Sequence, residues 1–312
     1  MFKMLKVKKT QKRLGSDRDR ALTWMALPPA LVLFIFCYLP YQGLVIAFKN
    51  FKVSKGIWGS DWAGFKNFSF FFKSSDAWVV LRNTIGLNFI FILLTLVLSI
   101  AVALMLNEIR NKAAIKTVQT IMFFPYFVSW VVAAYMVYAF LNHNYGILNS
   151  VCDFFGWEKR PWYSEAGYWP YILTFMNLWK NVGYNSVIYY ASIMGIDDSY
   201  YEAAALDGAN RWQMIWHVTL PSIKNVIVCM LIMALGKVMY SDFGLFYQVP
   251  RDMGALYPTT DVLDTYIYRA LRVTGNISIS AAVGWFQAIV GFIMIIGANA
   301  VARRIDKDSA IF

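Results

Sequence analysis

Residues Tyr200–Pro221 read YYEAAALDGANRWQMIWHVTLP, and they lie between two long apolar segments. Ser199 and Glu202 stand in the S-x-x-E arrangement of a capping box, which predicts a short helix beginning at Tyr200. Gly208 closes that helix, since glycine accepts the left-handed conformation of a helix end and lets another backbone come near. A second helical run, Arg211–Val218, is expected to stop at Leu220-Pro221, because the residue before a proline avoids the helical region. The product is a helix-turn-helix knob, where a plain connection would need only a few polar residues. Trp212, Ile215 and Trp216 on the second run suit a docking surface better than a water-exposed linker.

The flanking sequence is that of a membrane protein. Of 312 residues, 59% are hydrophobic and 15% charged, and mean hydropathy is +0.47, beyond what the surface of a soluble domain tolerates. The net charge of +11 does not point to nucleic acid, because the basic residues crowd beside apolar spans as lipid anchors do and no nucleic-acid module is present. Six segments have the roughly 20 apolar residues needed to cross the hydrocarbon core. They run near Leu22–Phe48, Asn83–Asn107, Ile115–Leu141, Trp169–Met194, Asn225–Val249 and Ser280–Ala302. The first is too long, and lacks the small-residue cleavage site, to be a removable signal peptide, so it reads as an anchor. Pro28, Pro29, Pro40 and Pro125 fall inside or at the ends of spans, which membrane helices accept when neighbours satisfy the freed carbonyls.

Orientation follows from Lys and Arg. With the N-terminus inside, the basic tail through Arg20 is cytoplasmic, together with Arg110, Lys112, Lys116, Arg211, Lys224, Arg303, Arg304 and Lys307, and the dense N-terminal cluster decides the topology. The expected organisation is therefore an all-α integral membrane protein with both termini, and the knob, in the cytoplasm. Residues 1–21 form a basic tail, 22–302 a six-helix transmembrane domain with the knob at 196–222, and 303–312 a second tail.

The knob also carries a resemblance. Glu202-Ala203-Ala204, three residues, Gly208, nine residues, then Val218-Thr219-Leu220-Pro221 resembles the EAA loop in permease subunits of binding-protein-dependent ABC importers. Val218 stands where that family usually has isoleucine, a near-conservative exchange. YLPYQGLVIAF, KGIWGSDWAGFKNF, LWKNVGYNSVIYYAS, TTDVLDTYIYR and the closing RRIDKDSAIF extend the likeness to the carbohydrate branch, of the maltose-transporter type and its LplB-like group. The resemblance implies a type I importer fold with a cytoplasmic coupling helix, in a bacterial cytoplasmic membrane. It implies a second permease subunit, by family habit a paralogue, an ABC ATPase dimer that uses ATP and Mg, and an extracytoplasmic solute-binding protein that delivers an oligosaccharide. Glu202 then matches the glutamate that meets a cation of the ATPase. Ala203, Ala204, Asp207, Gly208, Leu220 and Pro221 complete the coupling set, and the small members permit close approach.

The chain's own chemistry agrees with that division of labour. It has no G-x-x-x-x-G-K-[ST] phosphate loop; Gly236-Lys237 lies within a span and lacks the first glycine. Two histidines and three scattered cysteines offer no metal-ligand or thiol-catalytic spacing, so no cofactor, metal site or enzymatic activity is expected of this chain. The rival class is a secondary transporter or channel driven by an ion gradient, which would use inverted repeats and membrane-embedded acids. No repeat is visible, and the best candidate acid, Asp242, is expected to face water near the outer end of the fifth span.

The resemblance further maps Asn177, Lys180, Asn181 and Tyr184 of the fourth span, and Ala234, Lys237, Val238 and Ser241 of the fifth, onto the substrate path. Lys180 and Lys237 are the only Lys or Arg set well inside a span. A lysine there costs roughly 2.5–3.5 kcal/mol on insertion scales, so each asks for a use. Two ammonium groups on the path would suit an acidic, uronate-containing cargo; the alternative is that they bind carbonyls or neutral hydroxyls, or that Lys180 snorkels to an interface.

Overall fold

The computed structural model describes residues 11–305, so residues 1–10 and 306–312 of the two expected tails lie outside the described residues. Among the described residues the regular structure is helical apart from one two-residue antiparallel pairing, Lys49↔Trp62 and Asn50↔Asp61, a small departure from the all-α expectation. Asp19–Phe48, Ser75–Asn107 and Ile277–Arg304 are each long and apolar enough to cross a membrane alone. Two bent pairs raise this to five: Lys112–Phe127 with Trp130–Leu141, bent by 95°, and Arg211–Ser222 with Lys224–Leu235, bent by 62°. Trp169–Ile193 is one helix of 25 residues whose asparagines, tyrosines and lysine hold it below that apolar standard. Six uninterrupted apolar helices are thus not what the chain forms.

Two expected spans are corrected. Ile115–Leu141 is broken at Val128 and Ser129, both extended, and Ser129 caps the second half by accepting the Val132 N–H. Pro125 removes one hydrogen bond just before this break, where a helix end is already short of partners. Asn225–Val249 is helical only to Leu235 and resumes as the short helix Phe243–Gln248. Irregular backbone survives among membrane helices only when protein or a water-lined cavity satisfies it. Here Asn88 Nδ2 donates to the Val238 carbonyl at 2.9 Å, Gln287 Nε2 donates to that of Met239 at 2.6 Å, and Asp264 accepts the Ser241 N–H at 2.7 Å.

Leu-Pro pairs act twice in the same way. The first span runs as α-helix to Leu33, takes a π turn over Phe34–Tyr38, and continues as a tight 3-10 coil over Leu39–Phe48 past Pro40. A proline clashes with the carbonyl four residues earlier, and widening the helix by one residue relieves the clash. Only 6% of the apolar window of this span is buried inside the chain, so lipid or another subunit must cover it.

Ser75–Asn107 packs along Trp169–Ile193 in the most extensive helix contact. Leu87, Phe91, Trp169, Leu173, Leu245 and Phe246 fill one end of the bundle, and Ala103, Tyr189, Ile193 and Ile223 fill the end bearing the knob. Lipid tails are as apolar as these side chains, so close packing and interhelical hydrogen bonds hold the helices together. Ser99 Oγ donates to the Val182 carbonyl at 3.3 Å, and Thr84 Oγ1 accepts the Leu263 N–H at 2.9 Å.

Candidate functional site: a polar cleft and a knob

Between Ser75–Asn107, Trp169–Ile193 and the broken fifth segment lies a cleft of about 340 Å³. Asn177, Asn181 and Asn185 line it at helical spacing of four, which puts them one above another on one face about 6 Å apart. They form a ladder. Asn181 Nδ2 donates to the Asn177 carbonyl and Oδ1, both at 3.0 Å, Asn185 Nδ2 donates to the Asn181 carbonyl at 2.9 Å, and Asn177 Nδ2 reaches Thr95 Oγ1 at 3.3 Å. Their remaining donors and acceptors face the cleft, as polar groups on a membrane helix must face protein or water. Lys237 and Ala234 line the opposite wall. Lys237 is exposed and, among the described residues, its ammonium makes no hydrogen bond or ion pair.

The other mapped path residues stand elsewhere. Lys180 is half-buried, and its Nζ donates to the carbonyls of Tyr126, at 3.0 Å, and Val128. These are orphan carbonyls of the broken third span, and a lysine at a helix C-terminus is well matched to them. Tyr184 stacks on Tyr126 with ring centroids 4.4 Å apart, outside the cleft lining. Val238 is buried in a core with Val80 and Leu263, and Ser241 Oγ accepts from Asn88 Nδ2 at 3.0 Å. Asp242 is exposed, as expected, but it lines the cleft, accepts the Trp130 indole N–H at 2.6 Å and caps Phe243–Gln248.

Sequence reasoning missed Asn88, Thr95, Asn185, Tyr189 and Tyr240 in the lining. The regular spacing of Asn177, Asn181 and Asn185 was a signal that could have found one of them. Nothing in the sequence placed Asn88 or Tyr240 opposite that ladder.

The knob differs from its expectation in three details. Its first helix is Asp198–Leu206, and the cap is Asp197, whose carboxylate accepts the Ser199 N–H at 2.9 Å; the Ser199–Glu202 box does not form. That hydrogen bond holds the Asp197 carboxyl below the usual carboxylate range. A capping box does exist at the second helix, between Asn210 and Gln213. The second helix is not stopped by Leu220-Pro221, since a π turn over Ile215–Thr219 carries it through to Ser222. Ile215 is half-buried, whereas Trp212 and Trp216 are exposed.

The turn itself is as expected. Gly208 has φ +78°, the Ala209 N–H donates to the Ala204 carbonyl at 2.9 Å, and the Gly208 N–H to that of Ala205 at 3.1 Å, the pair of bonds that closes a Schellman end. Tyr201 and Thr219 hydroxyls bond across the two helices at 3.0 Å. Arg211 pairs with Glu108 at the end of the second span, tying the knob to the bundle, though an exposed pair of this kind is worth only about 0–1 kcal/mol. Ala204, Asp207 and Gly208 line a hollow of about 260 Å³ with Gln213, Met214, His217 and Val218. Glu202, Ala203 and Pro221 are exposed, Leu220 is half-buried, and Leu206 is 90% exposed, so the knob's tip is a bare apolar and acidic surface.

The sequence and the fold match known proteins. The model of the family described as binding-protein-dependent transport system inner membrane component matches residues 95–307. The chain belongs to this family. The permease is 33% identical over 291 residues to protein LplB of Bacillus subtilis, across 93% of this chain and 91% of that protein. It is 34% identical to the polygalacturonan/rhamnogalacturonan transport system permease protein YteP of the same organism, across 93% and 90%. It also resembles, with a TM-score of 0.86 and 34% identity over 94% of its own length and 99% of the other's, a chain in the crystal structure of a bacterial ABC transporter involved in the import of the acidic polysaccharide alginate. A second such structure, with a TM-score of 0.85, holds an alginate pentasaccharide-bound periplasmic protein. Among the described residues no group of His, Cys, Asp or Glu is arranged to hold a metal ion.

Proposed function

We propose that this permease moves an acidic, uronate-containing oligosaccharide through the asparagine-lined cleft by alternating access. It is a transmembrane subunit of an oligosaccharide ABC importer and not an enzyme; ATP hydrolysis occurs in a separate ATPase subunit. The observation that carries the acidic cargo is Lys237, an ammonium exposed in the cleft with no partner among the described residues. A charge kept at that cost suits a carboxylate that arrives with the cargo. The neighbours named for alginate and polygalacturonan support the same class. Lys180, being spent on two carbonyls, is not counted among the cargo's cations.

Trp169–Ile193 completes a set of six membrane-crossing segments in this reading, its asparagines sheltered by the cleft. The knob is the coupling element: Glu202 meets a cation of the ATPase dimer, and Ala203, Ala204, Asp207, Gly208, Leu220 and Pro221 seat against that subunit. The termini and the knob lie in the cytoplasm, a solute-binding protein docks on the other side, and a second permease, a paralogue, completes the path. The rival gradient-driven reading loses its candidate acid, because Asp242 is spent on a helix cap and an indole.

The test is uptake by the reconstituted importer of uronate against neutral oligosaccharides, with Lys237→Met alongside. The parent should prefer the uronate cargo and Lys237→Met should lose that preference. A parent that prefers neutral sugar, or uptake that continues without ATP, would overturn this reading.

A further inference from the structure

Two breaks in regular structure meet beside Trp169–Ile193 in the bundle. Lys180 on Trp169–Ile193 donates to the carbonyls of Tyr126, in the last turn before the break, and Val128, in the break itself, where the third span turns by 95°. Its ammonium stands 5.0 Å from the ring centre of Trp130, the first residue after the break. Trp130 then donates its indole N–H to Asp242 Oδ2 at 2.6 Å. The other oxygen of Asp242 accepts the N–H groups of Gly244, at 3.0 Å, and Leu245, at 3.3 Å, where the fifth segment resumes as helix. Gly244 permits this contact, because a Cβ there would sit 2.2 Å from Trp130 Cδ1.

We infer that Lys180, Trp130 and Asp242 form a strut that makes the bend of the third span and the break of the fifth turn as one body. The inference rests on the alternating-access reading above and goes beyond it, since it assigns to Lys180 a positioning role. The chain of contacts is continuous: cation to carbonyls and ring, ring to carboxylate, carboxylate to helix end. The two outer links, Lys180 to the carbonyls and Asp242 to the N–H groups, satisfy backbone groups that the breaks leave open, and the Trp130 indole joins them. The break of the fifth segment lines the cleft through Lys237, Tyr240 and Asp242, and without a tie to the bend of the third span it would absorb a push from the knob locally. Joined by the strut, the bend of the third span and the break of the fifth pass it on together, as packed two-state elements do.

The test uses the complete importer in proteoliposomes, with uptake and ATP hydrolysis measured together. Trp130→Phe removes the indole donor, Asp242→Asn leaves the helix cap but puts an amide at the indole, and the double variant completes the cycle. Each single variant should lower the cargo moved per ATP several-fold while ATP hydrolysis persists, and the double should be no worse than the worse single. Lys180→Met should show the same uncoupling for uronate and neutral cargo alike, and Lys180→Arg, whose fork can still reach two carbonyls, should recover most of it. Where Lys180→Met fails to assemble, Gly244→Ala carries the test by pushing on Trp130 alone. Additive losses in the cycle, an unchanged cargo-to-ATP ratio, or a loss from Lys180→Met confined to uronate cargo would overturn the strut. Failure of the acidic-cargo reading would show differently, as a parent protein that prefers neutral sugar.

Discussion

The backbone N–H of Leu220 bonds the carbonyl of Ile215, five residues earlier, as that of Leu39 bonds the carbonyl of Phe34. In both places a proline follows at once, and the widened turn spares it a clash with the carbonyl four residues before it. The knob's second helix therefore enters the fifth segment through a π turn followed by a 62° bend at Ile223. Pro221→Ala should let that turn tighten to an ordinary α-turn and rotate the knob relative to the bundle. Stability should not fall, since an interior proline costs about 3 kcal/mol relative to alanine, yet ATP-dependent uptake should drop. Thermal stability in detergent and uptake in vesicles are the measurements; uptake at the parent's level would mean that the π turn does not set the knob's angle.

Gly208 gives a backbone prediction free of steric complication. Nothing lies within 4 Å of where its Cβ would be, so substitution acts through φ +78° alone. Gly208→Val should cost roughly 1–2 kcal/mol in the knob and weaken ATPase attachment, whereas Gly208→Asn, which tolerates the left-handed region, should be nearly silent. Glu202→Ala should weaken the same attachment by about 2–5 kcal/mol, by leaving the partner cation unpaired. Co-purification of the ATPase with each variant reads both effects, and normal retention in Glu202→Ala and Gly208→Val would remove the knob from the coupling role.

Asp197 sets a pH prediction. Its carboxyl is held low by the Ser199 N–H, so the cap's contribution is complete above the usual aspartate value of 3.8 and is lost only as pH falls through the lowered one. The stability difference between the parent and Asp197→Ala should therefore stay constant from about pH 7 to 5. A difference that shrinks within that window would contradict the cap.

Much of the knob was legible in the sequence because its signals are local. The glycine turn and its small neighbours depend on residues a few positions apart, and they fold as read. Ser199 lost the cap to Asp197 because both types can cap and the sequence does not choose between adjacent candidates. The spans were legible as apolar lengths, but the breaks at Val128–Ser129 and after Leu235 were not. Their satisfaction comes from Lys180, Asn88 and Gln287, which are remote in sequence. For the same reason the sequence did not show that Lys180 and Ser241 stand at these junctions, Val238 in the core, and Tyr184 against Tyr126. A polar residue within a span announces that it has a partner, not which one.

The two intramembrane lysines make that distinction measurable, because removing them should move stability in opposite directions. Lys180→Met deletes the donor to the exposed Tyr126 and part-buried Val128 carbonyls and leaves them short of partners, at about 0.5–1.5 kcal/mol for a hydrogen bond lost. Lys237→Met deletes an ammonium that has no partner among the described residues, and relieves up to roughly 2.5–3.5 kcal/mol of insertion cost, less whatever the wet cleft already screens. Detergent-solubilised Lys180→Met should accordingly melt below the parent, and Lys237→Met at or above it. Adding a uronate oligosaccharide should raise the melting temperature of the parent importer and of Lys180→Met, if that variant assembles, but not that of Lys237→Met, since a ligand stabilises only the state that binds it. Equal destabilisation by the two substitutions would mean that Lys237 is a structural residue like Lys180, and the cleft would then lack the cation that an acidic cargo needs.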